Sequence, residues 1–417
     1  MDTAAVLGRR GDARRRSVIG MSPLVHHDVL VLGGGNAGLS LAGRVRRDGC
    51  RDVAVVEPKD VHEYQPLLSY VASGMATVDD LTRPQDDVVP DGVHRYPSRV
   101  VAVDPERSVV RLADGTELGY GDLAVCPGAE VDWDAVPGAQ EAVGTPHAAT
   151  SYVTDLAPKT WSMLSSLTSG RVVFAVSAQH VPCFPVGYKP LFVAADHWER
   201  AGVLDALEVQ LVVEAHRLVD DPRAEPALRA AADRYGVHVR TGTRVESVDP
   251  VDRTVRLQGP HGTDTTHYDA LYLAPPHRAP GWVADSGLAT PESDGFVAVD
   301  PRTLQHVTYP RVWGLGDAAA VDAMPSGGAL RRQVPVVARN IQARRKGTPM
   351  QEYDGYTVAP VTTSGRELLL AEYDREGRPD PGFPVVNLAR PSRALLLFDR
   401  YLQPSIYWRR LIQGKVS

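Results

Sequence analysis

Apolar residues in this chain come in short continuous runs separated by longer mixed stretches. Val29, Leu30, Val31 and Leu32 form the first run and Val53, Ala54, Val55 and Val56 the second. Each is short for a helix and unbroken, as in a strand buried on both faces. Further runs at 171–176, 209–213, 271–274 and 312–315 repeat the signal, with helical patterns between strands. Strands alternating with helices predict an α/β protein with parallel sheets.

The pattern also repeats on a larger scale. Residues 99–105 and 110–112 match 244–250 and 255–257 at a constant offset, and Asp104-Pro105 reappears as Asp249-Pro250. Each copy reads as a strand, a turn at Asp-Pro, a second strand, a polar turn and an apolar strand ending in proline, at Pro127 and Pro275. Two matched meanders, each preceded by strand–helix alternation, predict two related nucleotide-binding-type domains, each with a three-stranded antiparallel insertion.

Gly33, Gly35 and Gly38 follow the first run, and Glu57 closes the second. The first glycine permits a tight turn, the second leaves no side chain between backbone and a pyrophosphate, and the third lets the helix pack close to the sheet. The helix start then offers free amides to phosphate, and an acid placed as Glu57 is can bind ribose hydroxyls. The second half lacks this apparatus. After 171–176 come Ser177, Gln179, His180, Cys183 and Gly187, with no glycine where a pyrophosphate must approach, although Glu214 ends the next strand as an NAD-binding acid would. NADH or NADPH is therefore disfavoured as electron donor.

Composition narrows the class. The 417 residues are 43% hydrophobic, and 45 basic against 51 acidic residues are well mixed, giving a net charge of -6 that suggests no nucleic-acid partner. Cys50, Cys126 and Cys183 are too few for a disulfide framework and match no zinc spacing, which fits a reducing cytoplasm. Arg9, Arg10 and Arg14 to Arg16 lead into no apolar stretch, so residues 1–23 read as a disordered extension, with Met21 an alternative start. No apolar run is long enough for a transmembrane helix.

With these pieces the chain resembles the sulfide:quinone oxidoreductases, two-dinucleotide-domain flavoproteins, over about residues 26 to 414. The resemblance is carried by the glycine loop with Asn36 and Ala37, by Glu57-Pro58 with Tyr64-Gln65-Pro66, by Thr303 to His306 before Tyr309-Pro310, and by Gly314 to Asp317. Tyr353 to Thr357, Ala371 to Asp374 and Ile406 to Trp408 continue it. It implies two Rossmann-like, glutathione-reductase-type domains with β-meander insertions. The FAD-binding domain is expected at 24–150 and 281–345, a degenerate second domain at 151–280, and a C-terminal interface region at 346–417. It further implies FAD held by Gly33, Gly35, Asn36, Ala37, Gly38, Glu57, Gln65 and Asp317, with Asp317 taking ribityl hydroxyls. Cys183 and Lys189 are the implied catalytic residues, sulfide or a thiol species the substrate and quinone the acceptor.

One departure stands out. The family's second redox cysteine should follow the Gly-Asp motif, where this chain has Ala318, so a disulfide with Cys183 cannot form. Cys183 in a proline-flanked loop reads either as a nucleophile, its pKa lowered by Lys189, or as a small buried hydrophobe. Cys126 reads as packing or as a substitute partner, and His180 as a base or an ordinary loop histidine; His26 and His27 read as surface residues. Residues 394–414 interleave apolar and aromatic groups with arginines, interrupted by Pro404. This suits either an interface helix on the inner face of a membrane or a helix packed on the body or a dimer partner. Alternatives to the sulfur oxidoreductase are a flavoenzyme of specialised metabolism and a catalytically idle flavoprotein or sulfur sensor.

Overall fold

The unbroken apolar runs become the inner strands of two parallel sheets, where Val29, Leu30, Val31, Val172 and Phe174 are wholly buried. The computed structural model describes residues 24–382 and 387–415, so the expected extension 1–23 lies outside the described residues. In the first sheet Val93–Tyr96, Val53–Val56, Val25–Leu32 and Glu117–Val125 lie side by side and parallel, and Val312–Gly314 joins parallel to the last of them. In the second the order is His238–Thr241, Leu207–Val213, Gly170–Val176, Ala270–Ala274 and Ala148–Ala149. The two orders correspond strand for strand, with 148–149 standing where 312–314 stands.

The meanders are present in both halves. Val100–Asp104 pairs antiparallel with Val109–Leu112, which in turn pairs with the start of Glu117–Val125, the strand that continues into the parallel sheet. Arg244–Asp249, Thr254–Gly259 and Gly262–His267 form the second copy as a separate sheet. Each copy shifts register at a matched point, Val100/Ala102 and Val245/Ser247. Each also turns through a left-handed residue that is not glycine, Ser108 at φ 56° and Arg253 at φ 50°. Shared irregularities of this kind are a stronger mark of internal duplication than shared strands, because a bulge is a specific local feature that random alternation does not reproduce.

One apolar core fills the first half and two lie on the opposite faces of the second sheet, and one hairpin serves both halves. In Thr357–Thr362 and Leu368–Tyr373 the side chains of Ala359, Val361, Leu369 and Ala371 enter the core of the second half, while Val358, Leu368 and Leu370 enter that of the first. The period of two along a strand makes this sharing possible. The return strand is anchored through Asp122, fully buried, which accepts from Trp313 Nε1 (3.1 Å), Arg344 Nε (3.0 Å) and Arg345 Nε (2.8 Å). These arginines end the helix Leu330–Lys346, which packs on the first helix, Asn36–Arg47.

Pro404 does not interrupt the C-terminal element. Helical winding runs through Arg393–Leu397, Phe398–Leu402, Gln403–Ile406 and Tyr407–Leu411, the second and fourth of these in the wider i→i+5 pattern. A proline lacks the amide that the i→i−4 ladder needs, and the wider turn immediately before it accommodates the loss.

Candidate functional site

The loop after the first strand has the three steric properties that a dinucleotide demands. Gly33 has φ +99°, and a Cβ there would lie 2.3 Å from the Cys126 carbonyl oxygen. A Cβ on Gly38 would lie 1.8 Å from the Gly33 oxygen, so the helix can approach the strand only at glycine. Gly35 has nothing within 4 Å of its missing side chain and no side chain caps the helix it begins. The first amides of that helix, at Asn36, Ala37 and Gly38, thus face open space. Glu57 Oε2 accepts from Gly34 N (2.7 Å) and Oε1 from Lys59 N (2.8 Å), which fixes the carboxylate beside the loop with lone pairs to spare. The second half keeps the same lock, with Glu214 accepting from Ala178 N (2.9 Å), but its helix starts only at Lys189.

Asp317 is brought to this cradle by a close approach of backbone. Gly316 has φ +74°, donates its amide to Gln333 Oε1 (2.9 Å), and a Cβ there would sit 3.0 Å from that of Ala37. Asp317 follows in a short turn, Gly316–Ala318, and burial pushes its carboxyl up to about 6. Its carboxylate has no hydrogen-bond partner among the described residues. Asn36 Nδ2 reaches the Gly327 oxygen (3.4 Å), and Pro66 also lies close to Gly327, which brings the neighbouring, exposed Gln65 near the same loop.

Cys183 and Lys189 flank the turn Phe184–Tyr188, with Asp317 near enough to act on the sulfur. Cys183 is left-handed at φ 48°, its amide donates to the Pro325 oxygen (2.7 Å), and its sulfur lies 3.5 Å from the Val358 oxygen. Burial pushes the thiol up to about 12; Lys189 favours the thiolate, while Asp317 and Asp399 oppose it. Lys189 does lower the thiol's pKa, as expected, but burial outweighs it. Lys189 is almost fully buried, and its Nζ is engaged by Asp399 Oδ2 (2.9 Å) and stands 4.2 Å from the Tyr70 ring centre. Its charge reaches Cys183 largely compensated, and desolvation wins.

The remaining candidates separate cleanly. All three cysteines are free, and Cys126 is buried with its thiol pushed up by desolvation alone, as packing would have it. His180 Nε2 donates to Asp294 Oδ2 (3.0 Å) and its ring stacks on Phe296 at 4.3 Å, as an ordinary loop histidine would. His27 is not a surface residue: it is buried and bonded to Asp52 (2.6 Å) and Tyr96 (2.9 Å). Asp399 and Tyr70 escaped the sequence reading. A signal existed, because Asp399 is the only acid between Ala394 and Ile412.

Doubled parallel sheets, a glycine cradle, a half-buried aspartate held against it and a half-buried cysteine within electrostatic reach fit an FAD-dependent oxidoreductase with two dinucleotide-binding domains. Residues 27–173 match the pyridine nucleotide-disulphide oxidoreductase family. Within that class the chain is sulfide:quinone oxidoreductase-like. It is 29% identical over 391 residues to the mitochondrial sulfide:quinone oxidoreductase of Dictyostelium discoideum, covering 93% of this chain and 86% of that one. The Mus musculus enzyme of the same name is 28% identical over 394 residues, covering 93% and 87%. The sulfide:quinone oxidoreductase structure from Aquifex aeolicus shares the fold, with a TM-score of 0.80 at 17% identity over 94% of this chain and 92% of that one.

Proposed function

We propose that this chain binds FAD in the cradle of Gly33, Gly35 and Gly38 and oxidises sulfide, or a thiol or persulfide species, at Cys183, delivering electrons to a quinone. The observation that carries the reading is the glycine loop with open space at Gly35, joined by the close approach of Gly316 to Ala37 to an Asp317 near enough to act on the Cys183 thiol. FAD fits these residues: the free amides at the start of the helix suit its pyrophosphate, Glu57 a ribose, and Asp317 its ribityl hydroxyls. When bound there it supplies a two-electron acceptor. Asn36, Ala37 and Gln65 lie near the same loop.

The protein's own groups then have distinct tasks. Cys183 receives the sulfur of the substrate, ending as a persulfide while the electron pair leaves toward the cofactor. Because Ala318 supplies no second thiol, the outer sulfur must depart to an external nucleophile, a thiol or another sulfide, which regenerates Cys183. Lys189 holds positive charge near the forming thiolate. For the acceptor half, a cleft of about 400 Å³ between Leu67, Arg83 and the C-terminal helix offers the rings of Tyr401 and Trp408 to a flat quinone, with Asp80, Arg400 and Arg409 adding charge to its walls. The curated relatives are mitochondrial by name; for this chain we propose peripheral attachment to a membrane of a reducing compartment. Among the described residues no helix is long and apolar enough to cross a membrane.

Ala318, wholly buried in the core, favours a second reading in which the lost thiol marks a different small substrate. Anaerobic mixing decides. Sulfide is expected to bleach the visible flavin band of the purified protein, and a soluble quinone to restore it. Cys183→Ser is expected to slow the bleaching by at least about a hundredfold, since the sulfur nucleophile is removed. Bleaching at the parental rate in that variant removes Cys183 from the mechanism, and bleaching by no sulfur compound favours the other substrate or an idle flavoprotein.

A further inference from the structure

We propose that Asp399 is a positioning residue of this site: from the C-terminal helix, together with Tyr70, it holds the Lys189 ammonium and thereby sets the charge state of Cys183. Three separate parts of the chain meet at this point. Lys189 begins the helix Lys189–Ala201, Asp399 lies in the wide turn Phe398–Leu402, and Tyr70 lies in the short helix Leu68–Val71. Lys189 Nζ lies 2.9 Å and Tyr70 Oη 2.6 Å from the same oxygen, Asp399 Oδ2. The lysine side chain is 1% exposed and the aspartate 10%. A buried ammonium without a counter-charge is unfavourable, so the pair holds each partner in its place.

Position gives the pair more than a structural meaning. The charged and titratable groups that face Cys183 are Lys189 from the following helix, Asp317 from the Gly-Asp turn, Asp399 from the C-terminal helix, Tyr152 from the segment after 148–149, and Tyr373 from the shared hairpin. Both tyrosines are held neutral by burial. Among the described residues the cation that acts most on the sulfur is therefore the one that Asp399 compensates. Removing the Asp399 charge leaves Lys189 free to stabilise the thiolate, whereas removing the Lys189 charge does the opposite. The inference rests on the reading of Cys183 as the reacting thiol, yet its test needs neither sulfide nor quinone.

The test is the rate at which methyl methanethiosulfonate modifies Cys183 in the flavin-loaded protein as a function of pH, read from the mass of the peptide carrying Cys183. At a pH where the thiol predominates, the rate follows the thiolate fraction. Asp399→Asn is expected to raise it about three- to tenfold and Lys189→Met to lower it by a similar factor, as one charge acting across a partly polar interior does. Asp399→Glu, which keeps the charge, restores the parental pH profile. Asp399→Ser is a second neutral variant should the asparagine fail to fold. A profile for the neutral Asp399 variants that superimposes on the parent, or a shift in the same direction as that of Lys189→Met, overturns the proposal. Failure of sulfide to bleach the flavin leaves this result intact, so the two readings fail separately.

Discussion

At Gly33 a side chain has nowhere to go, whereas at Gly35 it meets only open space, and this contrast separates folding from cofactor binding. Gly33→Ala forces a Cβ to 2.3 Å from the Cys126 oxygen at a backbone angle of +99°. We expect it to destabilise the protein by about 3 kcal/mol or more, read as a loss of melting temperature or of soluble protein. Gly35→Val is expected to leave the melting temperature of flavin-free protein near the parental value, yet to yield protein without yellow colour, because the side chain fills the cradle. Equal damage to fold from both would contradict the assignment. Such glycines were legible in the sequence because their constraint is local, set by a strand that ends and a helix that begins within a few residues. Asp317 was legible through its motif. The Lys189–Asp399 pair was not, since its partners are 210 positions apart and no periodicity links them.

Short elements that stitch the halves together rest on buried neutral histidines. His277 belongs to the two-residue strand His277–Arg278, which pairs with Glu130–Val131. Its Nδ1 lies 3.0 Å from the Pro275 oxygen, and its ring meets Tyr152 at 5.2 Å. Burial pushes His277 down to about 4, and His62 and His306 are lowered by the same cause. The sign follows from proton counting. Between the unfolded value near 6.5 and the folded value near 4 the unfolded chain binds a proton that the native one refuses, so stability is full above that window and falls as pH drops through it. His277 alone accounts for about 3 kcal/mol across the whole window. The melting temperature of the parent is therefore expected to fall from pH 7.5 to pH 5 by more than that of His277→Gln; an equal fall in both would show that this histidine does not set the acid limit. The meanders flanking these strands were readable from Asp-Pro repeats, but the continuity of the C-terminal helix through Pro404 was not. Composition shows the missing amide, and only tertiary packing shows the wider turn that accommodates it.

Across the whole molecule the duplication gives one intact and one eroded nucleotide cradle, and it leaves an apolar surface without a partner among the described residues. That surface is the outer face of the C-terminal helix, where Leu397, Tyr401 and Leu402 are 57%, 64% and 53% exposed. Arg409 and Arg410 follow one to two turns on, also exposed, and the cleft of about 400 Å³ opens beside them. The other side of the same helix is tied down, with Tyr407 Oη 2.5 Å from His62 Nε2 and Arg400 bonded to Asp80 (3.1 Å). A helix clamped on one face and apolar on the other, with cations at its end, suits lying flat at an anionic lipid surface. Three such side chains, partly withdrawn from water, contribute about 3–5 kcal/mol, and each nearby arginine about 1 kcal/mol more on anionic lipid. The protein is accordingly expected to sediment with anionic phospholipid vesicles, more weakly with neutral ones, and less well as salt rises. Replacing Leu397, Tyr401 and Leu402 together by serine removes the apolar share without touching the buried face, so it should weaken vesicle binding at least tenfold, on the order of the area term, while melting temperature and flavin content stay parental. Unchanged sedimentation in that variant would place the contact elsewhere, and no sedimentation of the parent would mean that the exposed face meets protein rather than lipid.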